Sequence, residues 1–334
     1  MRNVPLFKRW QFWLGAVISA IFLFIALRNL HLSEVWESIR TAQYIWILPG
    51  VAVYFFGVWA RTWRWDYLLR PVKKIAMDRL FPVVVIGYMG NNIFPVRAGE
   101  IIRAYLLRQR EGVSVSTSLA TIIVERVFDG LVMLMFVFIG LPFTPMPGWL
   151  QKMVIAASLL FFGALAVFMT LAIKVEWAEA AYGWFIDRFV PTRFRPPIRG
   201  FADRFMTGLH SLRSGRAVLM IFLTSVVIWL AETVKYWFVM HAFDFTVPFW
   251  VLMLMNGIVN LATTIPSSPG YVGTFDAPGI EILTIFGVDR AIAASYTLVL
   301  HVALWLPITL LGLWYMTRES LTWRDFAKAE ETLA

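Results

Sequence analysis

The chain of 334 residues is 59% apolar and only 15% charged, a balance that excludes an ordinary soluble domain and places the excess apolar surface in lipid. Its net charge of +9 comes from short stretches of Lys and Arg between apolar runs, which is a topology signal rather than a nucleic-acid surface. Cysteine is absent and there are four His; disulfides, thiolate metal sites and cysteine nucleophiles are excluded, and neither a metal nor a cofactor is expected.

Arg2, Lys8 and Arg9 precede an apolar run at 10–28 that has no small-residue cleavage pattern, so an uncleaved first helix is predicted. Further spans are predicted at 44–60, 118–141, 153–173, 217–240 and 291–316. Each has about 17 residues or more, enough to cross a ~30 Å hydrocarbon core as a helix. The expected fold class is an all-α integral membrane protein, with a single transmembrane domain at 1–316 and a tail at 317–334.

Loop charges set the orientation, because Lys and Arg are held on the cytoplasmic side. The N-terminus goes inside, the loop 29–43 with Arg40 against Glu34 and Glu37 goes outside, and 61–79, with Arg61, Arg64, Arg70, Lys73, Lys74 and Arg79, goes inside. A full crossing at 80–95 would strand Arg97, Arg103, Arg108 and Arg110 on the wrong side. A re-entrant hairpin avoids this: 80–94 enters, turns near Pro95 to Gly99, and returns over 99–111.

The Pro-rich turn 142–147 then falls outside and the basic loop 174–216 inside. The stretch 249–286, interrupted after 265, is read as a second hairpin entered from outside, and the tail with Arg318, Arg324 and Lys328 returns inside. The result is about six full spans and two re-entrant hairpins in a plasma membrane of the bacterial inner type, both termini cytoplasmic.

The halves 10–141 and 153–316 repeat with inverted topology. Pro95-x3-Gly99 matches Pro266-x3-Gly270, Gly112-Val113 matches Gly287-Val288, and counting from those pairs sets Glu125-Arg126 opposite Leu300-His301. Short, Gly/Pro-interrupted segments at matching places in two halves point to a transporter's substrate site.

The first hairpin supplies Asn91, Asn92, Pro95, Arg97, Gly99, Glu100 and Arg103. Arg97, at the start of the returning helix, has the charge and position to hold a phosphate headgroup; the alternative is a pair with Glu100 that holds the turn. Glu125 and Asp129 share one helix face, with Arg126 about 100° away. Ionisable residues at a helix centre oppose insertion by about 2.5–3.5 kcal/mol each, so these face the bundle interior, where they bind a headgroup, relay a proton, gate, or form a salt link to Arg97 or Arg103. Glu232 and Lys235, spaced i, i+3, are placed to pair with each other. The second hairpin adds Asn260, Pro266, Ser267, Ser268, Pro269, Gly270, Gly273 and Asp276, with His301 on the last span. Among the 16 Trp, Trp59, Trp63 and Trp65 are read as interfacial anchors.

The strings NNIFPVRAGEIIRAYLL, ERVFD and IPSSPGYVGTFDA, followed by a final span, resemble the flippase-like family that includes the lysylphosphatidylglycerol synthase transmembrane region, over roughly 10–316. The resemblance implies movement of a lipid between leaflets. It carries the family's polar signature onto Asn92, Pro95, Arg97, Gly99, Glu100, Arg103, Glu125, Arg126, Asp129, Pro266, Pro269, Gly270 and Gly273. His301 departs from it, since Arg is expected there in many relatives.

The expected function is a lipid translocase for a phospholipid or polyprenyl-linked lipid. Its partners are a membrane lipid with an anionic or zwitterionic headgroup and, as a candidate, a lipid synthase; nucleic acid is not among them. The alternative is a membrane enzyme, or an accessory subunit of a synthase that modifies headgroups. Against it stands the lack of a nucleophile, metal or nucleotide motif.

Overall fold

Backbone amides in an apolar setting must pair within their own segment, which leaves the helix open to these runs. The computed structural model describes residues 10–28, 30–94, 98–144, 148–265, 267–319 and 321, and among them lie thirteen α-helices and no strand. In chain order they are α1 (Trp10–Leu27), α2 (Leu32–Thr41), α3 (Ile47–Leu69), α4 (Met77–Ile93), α5 (Ala98–Glu111), α6 (Val115–Gly140) and α7 (Gly148–Ile173). Then follow α8 (Val175–Phe189), α9 (Arg195–Gly208), α10 (Gly215–Met240), α11 (Phe249–Ala262), α12 (Asp276–Ile285) and α13 (Arg290–Arg318).

Each of the six expected spans falls on a helix. Among the described residues, three helices are long and apolar enough to cross a membrane: Tyr44–Leu69, Gly215–Met240 and Arg290–Arg318. A fourth crossing results if Ser158–Ile173 and Val175–Phe189, bent by 102°, count as one. Helix α6 is also 26 residues long, but Glu125, Arg126 and Asp129 interrupt its apolar centre.

Two helical hairpins are present. In the first, Gly87 meets Arg103 and Gly90 meets Gly99 and Ile102, while Arg79 reaches Glu111. One partner's number falls as the other's rises, so α4 and α5 run antiparallel. A Cβ on Gly99 would stand 1.9 Å from the Gly87 carbonyl oxygen and 2.8 Å from the Asn91 nitrogen, so no side chain fits this crossing. Gly99→Ala is expected to destabilise by about 1–3 kcal/mol through overpacking. Gly163→Ala, which meets nothing within 4 Å, is the control, and equal melting temperatures of the two purified variants would refute the close crossing.

At the base of this hairpin the Lys73 ammonium lies 2.8 Å from a Glu111 carboxylate oxygen. That hydrogen bond, helped by Arg79, holds the Glu111 carboxyl below its ordinary range. In the second hairpin Met255 packs on Gly279 and Trp250 on Phe286, again antiparallel. Its connecting loop is tied to α1, where Ser19 Oγ accepts from the Ser268 N–H at 2.9 Å.

Both hairpins end alike. Gly112 after α5 and Gly287 after α12 adopt φ of +73° and +84°, the left-handed conformation in which glycine closes a helix without Cβ strain. Two residues on, Ser114 caps α6 by accepting from Thr117 N–H, and Asp289 caps α13 by accepting from Ala291 and Ile292 N–H. The matching Gly-Val pairs thus mark equivalent joints. The two larger apolar cores draw unequally on the halves: most of one comes from Tyr54 to Phe128, joined by Ile221, Ile308 and Met316, and most of the other from Tyr236 to Leu300, joined by Ala26 and Val35.

Three expectations change. The loop 29–43 contains α2, and the basic loop 174–216 contains α8 and α9, with Gly208 packed on the α6 backbone at Thr117. Arg61 and Arg64 are not loop residues, because α3 continues to Leu69 and buries both; their charges are met by carboxylates on neighbouring helices, which removes the penalty that would have ended the helix at residue 60. Trp65 is fully buried rather than interfacial: its indole donates to Thr121 Oγ1 at 3.0 Å.

Candidate functional site

Helices α3, α6 and α10 each turn a stripe of polar residues toward the others. The spacing is helical on each one: Arg61 and Arg64 on α3, Glu125 and Asp129 on α6, Ser225, Trp229 and Glu232 on α10. Helix α3 packs antiparallel along α10, as Gly50 meets Val239 and Gly57 meets Glu232.

Arg64 is the hub. Its Nη1 lies 2.7 Å from Asp129 Oδ1 and 2.6 Å from Ser225 Oγ, and its Nε 3.7 Å from Glu125 Oε1. Arg103 from the first hairpin bonds the other Glu125 oxygen at 3.0 Å and lies 4.1 Å from the centre of the Trp65 ring. The Trp229 indole donates to Asp129 at 2.9 Å. Glu232 takes Lys235 on its own helix and Arg61 at 3.3 Å. The salt link expected between the α6 carboxylates and Arg103 is present, as is the pairing of Glu232 with Lys235. An unpaired buried charge costs several kcal/mol, and here each carboxylate faces at least one cation.

Beside this network a cavity of about 130 Å³ opens where the two hairpins approach each other. Arg61, Arg126, Glu232, Asn91, Asn260 and His301 give its polar wall; Tyr54, Tyr88, Trp229 and Trp305 are among the aromatic ones. Two arginines face it with donors to spare. Arg126 reaches Glu100 only at 3.5 Å and Asp129 at 3.4 Å, beyond the roughly 2.7–2.9 Å of a good charge-assisted hydrogen bond. Its Nε is buried and makes no hydrogen bond among the described residues. Among the described residues Arg61 has one hydrogen bond, to Glu232, and it also rests against the rings of Trp229 and Tyr88.

The hairpin loops meet at this cavity through α13. Asn92 donates to the Trp305 carbonyl at 3.2 Å and to Thr309 Oγ1 at 2.9 Å, while the Trp305 indole donates back to the Asn92 carbonyl at 3.3 Å. Asn91 accepts from the Gly99 N–H at 2.9 Å and closes the first hairpin. On the other side, His301 bonds Asp276 and Gly270, and Asp276 accepts from the Gly273 N–H. Among the described residues no cluster of His, Asp and Glu is arranged to hold a metal ion.

Of the residues picked from sequence, Asn91, Asn92, Arg126, Glu232, Asn260, Gly270 and His301 line the cavity. Glu125, Asp129, Arg103 and Lys235 sit behind the wall, buried and paired. Glu100 stands at the edge, facing Arg126. Ser267 and Ser268 face α1 rather than the cavity, and Pro269 adjoins the wall at Gly270. Pro95, Arg97 and Pro266 lie outside the described residues. Arg61, Tyr54, Tyr88, Trp229 and Trp305 are cavity residues that sequence reasoning missed. A signal was present for Arg61: aromatic and apolar residues continue past it to Leu69.

The family whose description is "Lysylphosphatidylglycerol synthase TM region" matches residues 12–312. A UPF0104 membrane protein of Methanothermobacter thermautotrophicus is 23% identical over 297 residues, covering 85% of this chain and 88% of that one. Glycosyltransferase AglD of Haloferax volcanii is 24% identical over 330 residues, covering 89% of this chain but 52% of that protein. No solved structure matches.

Proposed function

Because the chain belongs to the lysylphosphatidylglycerol synthase transmembrane family and is an integral membrane protein, we propose that it is a lipid translocase, carrying a phospholipid or polyprenyl-linked lipid between leaflets. The observation that carries this reading is the cavity between the hairpin loops, whose wall holds the guanidinium groups of Arg61 and Arg126, one with a single hydrogen bond to Glu232 and the other with only long contacts to Glu100 and Asp129. Such groups suit an anionic headgroup, as guanidinium pairs with phosphate through charge-assisted hydrogen bonds.

Among the described residues the buried cations Arg61, Arg64, Arg103 and Lys235, with the partly exposed Arg126, face the carboxylates Glu100, Glu125, Asp129 and Glu232. An apolar groove of about 430 Å³ lies on the other face of α13, along Val302 and Leu306, so one helix borders both a polar and an apolar recess, as a headgroup and its acyl chain would require.

In this reading the two hairpins are re-entrant and, with about six spans, form an inverted-topology repeat. The equivalent Gly112 and Gly287 joints support it, and so does the placing of Arg126 against Glu100 and His301 against Asp276. Both termini are cytoplasmic in a plasma membrane, on the loop-charge argument. No catalytic step is assigned to the chain, and a lipid synthase remains a candidate partner.

The test is reconstitution of the purified chain into vesicles carrying a fluorescent phospholipid, read with an impermeant quencher. Transbilayer movement well above that of protein-free vesicles is expected. Movement no faster than the protein-free rate would refute translocation of that lipid, and conversion of the lipid to a new species would favour the membrane-enzyme reading, which the glycosyltransferase name of one relative keeps in view.

A further inference from the structure

Each half holds a basic residue of its closing helix against an acid at the start of the second hairpin helix: Arg126 against Glu100, and His301 against Asp276. The first base is charged at every physiological pH. The second is an imidazole, whose unperturbed change of charge falls in that range.

Hydrogen-bond geometry fixes how many protons the second pair holds. His301 Nδ1 lies 2.8 Å from Asp276 Oδ1, and Nε2 lies 2.7 Å from the Gly270 carbonyl oxygen. A carbonyl has no proton to give, so Nε2 carries one. The contact between Nδ1 and Oδ1 needs another, whether it resides on the ring or on the carboxyl. The pair therefore holds one proton more than a neutral imidazole beside a carboxylate. Without it, one of the two contacts becomes lone pair against lone pair and must open.

Both contacts hold the loop of the second hairpin. Gly270, Tyr271 and Gly273 have φ of +72°, +61° and +84°, a conformation that a tyrosine adopts only when its surroundings impose it. Gly270 packs under the Trp305 indole, which bonds the first hairpin at Asn92. Other titratable or charged groups reach this region across the cavity: Tyr54 and Arg61 from α3, Tyr88 from α4, Arg126 from α6, Glu232 from α10 and Tyr271 from the loop itself. Phe275, before α12, lies tilted against the imidazole with ring centres 4.5 Å apart. Helix α2 meets α13 at Ser295, to which it offers the Val35 carbonyl.

We propose that the His301–Asp276 pair is a proton-binding site that couples the cavity to pH. With the proton bound, the pair is neutral overall, the second hairpin is latched to α13, and the guanidinium groups of Arg61 and Arg126 in the cavity wall are available to an anionic headgroup. When the proton leaves to solvent, the latch opens and the pair adds a negative charge at the cavity wall, so the headgroup is released. The coupling to transport rests on the translocase reading; the latch itself does not.

The chain has no cysteine, so Ser267→Cys introduces a single thiol at a buried loop position. In the reconstituted full chain, its maleimide labelling rate between pH 5 and 9 is divided by that of Thr264→Cys, which is exposed, to remove the thiol's own ionisation. The ratio is expected to rise by up to about tenfold per pH unit through one transition, the limit for a single proton. His301→Gln, which cannot take the proton, is expected to label fast at every pH. Asp276→Asn is the second variant, with the opposite expectation: its amide N–H can donate to a neutral Nδ1 while Nε2 still donates to Gly270, so both contacts persist without the extra proton and labelling stays slow at every pH. A ratio flat across this range in the unsubstituted background, or unchanged by both substitutions, overturns the latch.

Movement of the fluorescent phospholipid is followed in the same vesicles. A pH-dependent rate that becomes flat in His301→Gln supports the coupling; a rate indifferent to pH overturns it while leaving translocation standing. A pH-dependent labelling ratio with no lipid movement leaves the proton site in place and removes the translocase reading instead.

Discussion

Asp129→Ala is expected to lower the stability of the purified protein by about 3–5 kcal/mol, the usual cost of removing one partner from a buried ion pair. Asp129 is 1% exposed and faces Arg64, Arg126 and the Trp229 indole together. The substitution leaves two guanidinium groups short of a counter-charge and one indole N–H without an acceptor. The loss comes from those stranded groups rather than from the attraction that is removed. Glu281→Ala gives the comparison, since it breaks the pair with Arg290 at a carboxylate that is 43% exposed, and such surface pairs contribute about 0–1 kcal/mol. Thermal unfolding in detergent reads both. Should Asp129→Ala melt as high as Glu281→Ala, the charge network is not what holds α3, α6 and α10 together.

Arg126→Ala is expected to slow lipid movement by roughly tenfold to a hundredfold, on the basis that a hydrogen bond to a charged group contributes about 1.5–3 kcal/mol. This residue suits the test because it lines the cavity and its contacts with protein carboxylates are long. Arg126→Lys keeps the charge but loses the planar fork, and should fall between the two. Because Arg126 also faces Glu100 and Asp129, melting temperatures of the variants must accompany the rates. A variant that keeps its melting temperature and its rate would show that Arg126 does not meet the headgroup. A diacylglycerol probe, which has no phosphate, should move at a rate insensitive to either substitution.

How far the site was legible depended on whether a residue's meaning was local. Asn91, Asn92, Asn260 and His301 stood out because polar residues in apolar runs are costly and must have a use, and they do line the cavity. Glu125 and Asp129 stood out for the same reason, yet their place is behind the wall, as counter-charges for Arg64 and Arg103. Cost marks a buried charge without saying whether its partner is protein or ligand. Arg61 and Arg64 were misplaced for the converse reason: two arginines at the end of an apolar run look like a cytoplasmic flank until the acids of α6 and α10 are brought beside them.

The sequence by itself determined the membrane class, the position of nearly every long helix, the two hairpins with their glycine joints, and the family. All of these rest on composition, period and short motifs, where the energetic preference of a segment is set by its own residues. Tertiary structure alone decided that α3 runs on to Leu69, that the 174–216 segment is helical, that Arg64 is the hub of the charges, and that Trp305 and His301 join the two hairpin loops. Those facts depend on which groups meet across well over a hundred residues of chain, such as Arg64 with Ser225 at a separation of 161, because the charge of one helix is made affordable only by the opposite charge of another.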